Sequence, residues 1–128
     1  MRYLLDTQLL VWGATAPERF SPLARELLMA TRPVLWFSAA SIWELAIKRQ
    51  HPHRVWELDP GELRSELLRH HYREVAISGA HALATADLPR LHKDPFDRIL
   101  LAQATIEGLT LLTTDARLGQ YPGPVRVV

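Results

Sequence analysis

The stretch from Asp94 to Asp115, DPFDRILLAQATIEGLTLLTTD, most narrows what this chain can fold into. It reads as one helix followed by one strand. Asp94 is a natural N-cap and Pro95 suits the first helical position. Phe96, Ile99, Leu100 and Gln103 recur at helical spacing, and Leu101, Ala102, Ala104 and Ile106 make the helix apolar on more than one side. Gly108 is placed to end it in the left-handed conformation, and Leu109 to Thr114 is a short apolar, Thr-rich run of strand type. From Asp97 to Glu107 the helix climbs ~15 Å at about 1.5 Å per residue, and the strand returns ~17 Å at about 3.3 Å per residue. The two lengths nearly cancel. Asp97 and Asp115 are therefore expected at one level, at the carboxyl end of a strand, the edge where open α/β sheets place their sites.

The rest of the chain alternates in the same way. Arg2 to Leu5 is a strand, and Thr7 to Ala14 is helical with Leu9, Leu10 and Trp12 prominent. A Pro-containing loop, Ala16 to Phe20, leads to a helix started by Ser21 and Pro22 and running to about Ala30. Val34 to Ser38 is an unbroken apolar strand of the buried, parallel kind. Ala40 to Gln50 is a helix whose apolar side is expected to carry Ile42, Trp43, Ala46 and Ile47. Further elements follow: a helix from Asp59 and Pro60 to about His70, a strand Arg73 to Ile77, a short helix Ser78 to Ala86, and a last strand Val125 to Val128. Strands separated by helices predict an α/β chain, a largely parallel sheet with helices on both faces.

Composition excludes several classes. The 128 residues suit one domain, 1–128, with one substantial core, and 48% hydrophobic content argues against disorder. There is no cysteine, so neither a disulfide framework nor a thiolate metal site is available. No apolar run approaches the ~18 residues that span a bilayer, and Asp6 interrupts the N-terminal apolar run that a secretion signal would need. A cytoplasmic protein without a membrane partner is expected. Lys and Arg (15) nearly balance Asp and Glu (14), so net charge says little about partners.

Topology brings four acids to one rim. Asp6 follows the first strand, Glu44 lies in the first turn or two of the helix after the second, Asp97 opens the central helix, and Asp115 follows the strand after it. Each has an ordinary reading. Ser41 to Glu44 has the spacing of a capping box, and Glu44 has Lys48 four residues on. Asp97 suits a helix dipole, and Asp115 suits a turn. Asp6 is hardest to dismiss, because an acid ending an apolar strand rarely helps a core. Together the four repel one another, and a divalent cation removes that repulsion. All-oxygen ligands suit Mg²⁺, with Mn²⁺ as the alternative, rather than Zn²⁺. A cation so held can activate water, orient a phosphodiester and stabilise the leaving oxygen, which points to hydrolysis of a nucleic-acid backbone.

LLDT around Asp6, SAASIWELAIK around Glu44, HKDPFDRILLAQA around Asp97 and LLTTD ending at Asp115 resemble the PIN domain, and most nearly the VapC-type toxins of toxin–antitoxin pairs. The resemblance implies a three-layer α/β/α sandwich and a Mg²⁺-dependent endoribonuclease acting on RNA. The family's acidic quartet falls on Asp6, Glu44, Asp97 and Asp115. Its supporting polar residue falls on Thr114 or Thr113, and Ser38 matches the small hydroxyl residue ending the second strand. Thr7 and Asp94 join the supporting set beside the first and third acids. A small cognate antitoxin and a homodimer are implied as well. The family's His two residues after the first Asp is replaced here by Gln8, which cannot titrate near neutral pH. The His51 to Arg54 stretch also differs from the family's usual short turn.

Other features carry less. Lys48, Arg49 and Arg54 are surface cations or phosphate contacts, and Lys93 and Arg98 beside Asp97 are the better candidates for meeting RNA. Trp12, Trp36 and Trp43 are expected in the core, while Trp56 packs on a partner or folds back. His81 and His92 are expected at the surface or in loops, with no metal-pair spacing. The competing reading is a catalytically silent module of the same fold that binds RNA or protein. A phosphate-accepting receiver domain is rejected, since Ser78 and Gly79 stand where its acceptor Asp is needed.

Overall fold

A computed structural model describes residues 1–30, 33–53 and 56–128. Within these residues five strands form one sheet: β1 (Arg2–Leu5), β2 (Val34–Ser38), β3 (Arg73–Val75), β4 (Thr110–Thr113) and β5 (Val125–Val127). Their spatial order is β3-β2-β1-β4-β5 and every neighbouring pair is parallel. Among the described residues six α-helices connect them: α1 (Thr7–Thr15), α2 (Pro22–Leu28), α3 (Ala39–Arg49), α4 (Pro60–Arg69), α5 (Gly79–Ala84) and α6 (Pro95–Glu107). The result is a three-layer α/β/α sandwich. Among the described residues no helix is long and apolar enough to cross a membrane.

The strand period of two divides the core. Tyr3 and Leu5 of β1 and Leu112 of β4 pack with Leu9 and Leu10 of α1 and Leu63 of α4 on one face. Leu4 and Leu111, the alternate residues, pack with Leu100, Leu101 and Ala104 of α6 on the other. Starts and stops follow local chemistry. Asp6, Ser21, Asp59, Ser78 and Asp94 each accept a main-chain N–H at the start of a helix. Gly108 ends α6 at φ 68°, the left-handed region, with its N–H on Ala104 O.

Strand order decides where the site lies. From β1 the chain moves outward to β2 and β3, then returns to the other side of β1 as β4. α1, which leaves β1, and α6, which enters β4, pack on opposite faces of the sheet, so the carboxyl ends of these two strands border a crevice. Asp6 follows β1 and Asp115 lies two residues beyond β4. Fully buried Gln103 of α6 braces this end: it accepts the Ser38 hydroxyl at 2.6 Å and donates to Ala76 O at 3.4 Å.

One helix is rotated from its expected phase. Ser38, not Ser41, caps α3, its Oγ accepting the Ala40 N–H at 2.9 Å. The buried side of α3 is Ala40, Ser41, Glu44 and Leu45, whereas Trp43 is 58% and Ile47 45% exposed. The capping-box reading of Ser41 and Glu44 therefore fails, as does the core placement of Trp43. Small residues let α3 approach the sheet and turn Glu44 inward. Trp43 instead packs edge-on against Phe96, ring centres 5.3 Å apart. Arg54, read with Lys48 and Arg49 as a basic patch, lies outside the described residues.

The left-handed Gly108 joins the two elements that carry Asp97 and Asp115. Gly108→Ala is expected to cost about 1–2 kcal/mol, and Gly108→Asn less, since a Cβ opposes this conformation. Urea denaturation measures both, and an unchanged midpoint for Gly108→Ala would contradict the assignment.

Candidate metal centre

Asp6, Glu44, Asp97 and Asp115 line one cleft of about 230 Å³, together with Thr7, Gln8, Lys48, Trp56, Asp94 and Thr114. Asp6 is buried at the end of β1. Its Oδ1 accepts the Leu9 N–H at 2.9 Å, and its Oδ2 accepts the Thr113 hydroxyl at 2.7 Å and the Thr114 N–H at 3.3 Å. All three donors are neutral. Burial pushes the Asp6 carboxyl above its ordinary range; the three hydrogen bonds oppose the rise, and Glu44 adds to it.

Glu44, also buried, is paired with Lys48 one turn on, and the Lys48 ammonium lies 4.7 Å from the centre of the Trp56 ring. Asp115 lies at the cleft edge and is clasped by Arg117, with Nε 3.2 Å from Oδ1 and Nη2 3.0 Å from Oδ2. Thr113 Oγ1 accepts the Asp115 N–H at 3.0 Å, so one hydroxyl ties Asp6 to Asp115. The Arg117 side chain holds the Asp115 carboxyl down at about 2, against a smaller upward push from burial.

Asp97 stands in the first turn of α6. Burial raises its carboxyl to about 7; neighbouring Asp94 adds to the rise and His92 opposes it, with smaller upward contributions from Asp6 and Glu44. The charge pattern is uneven. Lys48 answers Glu44 and Arg117 answers Asp115, but among the described residues no lysine or arginine pairs with Asp6 or Asp97. Those two carboxyls are pushed up. The place short of positive charge lies between them, and a divalent cation fits that deficit and the oxygen donors around it. His92, Asp97 and Asp115 also bring one ligand atom each within 4.8 Å of one another, a cluster able to hold such an ion.

The supporting residues divide. Thr113 holds Asp6 through its hydroxyl, while Thr114 does so through its main chain. The Thr7 hydroxyl donates to Ser41 Oγ at 2.9 Å, joining α1 to α3 beside the cleft. Asp94 caps α6, its Oδ1 accepting the Phe96 N–H at 2.9 Å. Ser38 caps α3 from beneath and does not line the cleft. Arg98 turns away from the cleft. Its guanidinium donates to the carbonyls of Thr85, Leu88, Pro89 and His92 and to the Tyr121 hydroxyl, an internal task rather than phosphate contact. Arg49 pairs with Asp59, and Lys93 is exposed beside Pro95 and Phe96.

Two histidines expected outside are buried. His81 caps α5 and meets Glu107 at 2.9 Å. His92 sits in the cleft wall, its Nε2 3.0 Å from Asp115 Oδ2 and 3.1 Å from Asp97 Oδ2. It stands in an irregular connector, where no periodicity reports burial. Arg117 was also missed, although an Asp followed two residues later by an Arg in a turn is a local signal.

Fold and site together define a class: a parallel α/β chain with an acidic, cation-suited cleft at its switch point. The chain belongs to the PIN domain family, which matches residues 3–124. It is 30% identical to Ribonuclease VapC22 of Mycobacterium tuberculosis (strain ATCC 25618 / H37Rv), over 97% of this chain and 96% of that protein. Among solved structures it resembles VapBC2 from Rickettsia felis bound to a promoter DNA fragment, at TM-score 0.66 and 18% identity over 99% of this chain and 98% of that one. A toxin–antitoxin complex from Klebsiella pneumoniae matches at TM-score 0.66 and 21% identity, over 98% of this chain and 96% of that one. At these identities the structural likeness is one of fold.

The raised carboxyl of Asp97 has a signed consequence. The native state binds this proton more tightly than the unfolded state, so stability from this group falls as pH rises from about 4 to about 7. Asp115 acts oppositely and lower, its contribution being lost as pH falls from about 4 toward 2. In EDTA, Asp97→Asn is expected to melt above wild type at pH 8 and close to it at pH 4. Equal melting of the two proteins at pH 8 would contradict the charge deficit.

Proposed function

We propose that the protein is a Mg²⁺-dependent endoribonuclease and the toxin of a toxin–antitoxin pair. The observation that carries this reading is the meeting of four carboxylates from four segments in one cleft, two of them without a lysine or arginine partner among the described residues. Asp6, Glu44, Asp97 and Asp115 would hold the cation, Mg²⁺ or Mn²⁺, and the ion would supply water activation and charge stabilisation at a phosphodiester. The residues around it supply position. The Thr113 hydroxyl and the Thr114 N–H fix Asp6 Oδ2, while Oδ1 accepts the Leu9 N–H of α1. Lys48 pairs with Glu44, and Arg117 clasps Asp115 and holds its carboxyl down, each cation staying with its own acid. Gln8 keeps a hydrogen-bonding group at the cleft mouth. The relative VapC22 bears the name ribonuclease, which supports RNA as substrate.

A small antitoxin is part of the proposal, as the structural neighbour from Klebsiella pneumoniae is a toxin–antitoxin complex. Its seat is the apolar groove of about 560 Å³ lined by Leu9, Leu10, Phe20, Leu28, Leu63 and Tyr72. α1 joins this groove to the cleft, since Thr7 and Gln8 at its start border the acids. A partner laid along α1 reaches the site and covers it. A homodimer, one domain spanning 1–128 and a cytoplasmic setting complete the reading.

Total cellular RNA incubated with the protein tests the activity. Cleavage is expected with Mg²⁺, is lost in EDTA, and is abolished by Asp6→Ala and by Asp97→Asn. Metal-independent cutting that persists in both variants would overturn the proposal. A folded protein that binds RNA without cutting it under any of these conditions would favour the silent module instead.

A further inference from the structure

We infer that His92 is a positioning residue that donates its Nε2–H to the acid cluster and is not itself a ligand to the cation. The inference rests on the divalent-cation reading above. Proximity alone would suggest the opposite, since Nε2 lies as near Asp97 and Asp115 as a shared ligand atom would. The other ring nitrogen decides it. The Asp94 main-chain N–H points at His92 Nδ1 from 3.1 Å, so Nδ1 presents a lone pair. A ring whose Nδ1 accepts this N–H carries its proton on Nε2. There it meets Asp115 Oδ2 at 3.0 Å, with Asp97 Oδ2 alongside at 3.1 Å.

Coordination through Nε2 would move the proton to Nδ1. Two donors would then face each other across 3.1 Å, at the residue that caps α6. Turning the ring is blocked by its seat. The His92 side chain is 4% exposed, and its backbone is held on both sides: the main-chain N–H donates to Tyr121 Oη at 2.8 Å, and the main-chain carbonyl receives Arg98 Nη1 at 3.4 Å. Arg98 pins the preceding segment through Thr85, Leu88 and Pro89. Five internal hydrogen bonds of one arginine thus end in a fixed imidazole between two carboxylates that arrive from different elements. Its N–H fixes Asp115 and sets Asp97 beside it. Donors of this kind orient metal-binding carboxylates, and their loss costs about 10–100-fold in metal affinity.

Mn²⁺ in place of Mg²⁺ reads the arrangement without any activity measurement. Full-length protein is titrated with Mn²⁺ by electron paramagnetic resonance, as wild type, His92→Leu and His92→Gln, with melting curves for each. His92→Leu is expected to weaken Mn²⁺ binding by about 10–100-fold, and His92→Gln, which keeps an N–H donor, to recover part of it. In ¹⁵N-histidine-labelled wild type, the electron spin echo of bound Mn²⁺ is expected to show no directly coordinated nitrogen. The histidine ring ¹⁵N spectrum is expected to keep His92 protonated at Nε2 with and without metal. A coordinated nitrogen, or a proton on Nδ1, overturns the inference even if the variants fail to fold. So does unchanged Mn²⁺ affinity in a folded His92→Leu. Wild-type protein that binds no Mn²⁺ overturns the cation reading itself, and this inference with it.

Discussion

The structure depends on a shortage of positive charge at one place. Carboxylates at the ends of β1 and β4 and on α3 and α6 are drawn into a cleft where burial disfavours their charge. Lys48 and Arg117 neutralise the outer two, and the inner two are left to share what the cleft admits. Without an ion, Asp97 keeps its proton up to about pH 7. Such sites are strained for the folded state and useful for binding, a conflict that proteins accept where they function.

The fold makes the conflict tolerable. A parallel sheet ordered β3-β2-β1-β4-β5 reverses its winding between β1 and β4, so the acids stand at a natural gap and not against packed helices. Neutral donors from Leu9, Thr113 and Thr114 surround Asp6, and Gln103 and Ser38 brace the elements behind it. Apolar packing on both faces of the sheet supplies the stability against which the cleft draws.

Much of this was legible from residue order. Pro22, Pro60 and Pro95, each after a capping Ser or Asp, mark helix starts, and Arg2–Leu5 and Val34–Ser38 have the lengths and composition of buried strands. The near-equal reach of α6 and β4 placed Asp97 and Asp115 at one edge. What could not be read was set by tertiary contact. The phase of α3 depends on the close approach of Ala40 and Ser41 to the sheet, which overrides the apolar pattern through Trp43 and Ile47. His92 lies in a connector without period, and its burial is imposed by Arg98 and Tyr121 from elsewhere in the chain. Arg98 reads as a phosphate contact in the sequence because linear neighbourhood says nothing of where a long side chain turns.

Proton release on cation binding tests the charge deficit most directly. Mn²⁺ is titrated calorimetrically into metal-free protein at pH 6, in two buffers of different ionisation enthalpy. If the ion replaces the proton on Asp97, the heats differ between buffers by ~1 proton per bound ion, and the difference disappears in Asp97→Asn. Binding that releases no proton, or that is as tight in the Asp6→Asn, Asp97→Asn double variant as in wild type, would place the cation elsewhere and contradict this reading of the cleft.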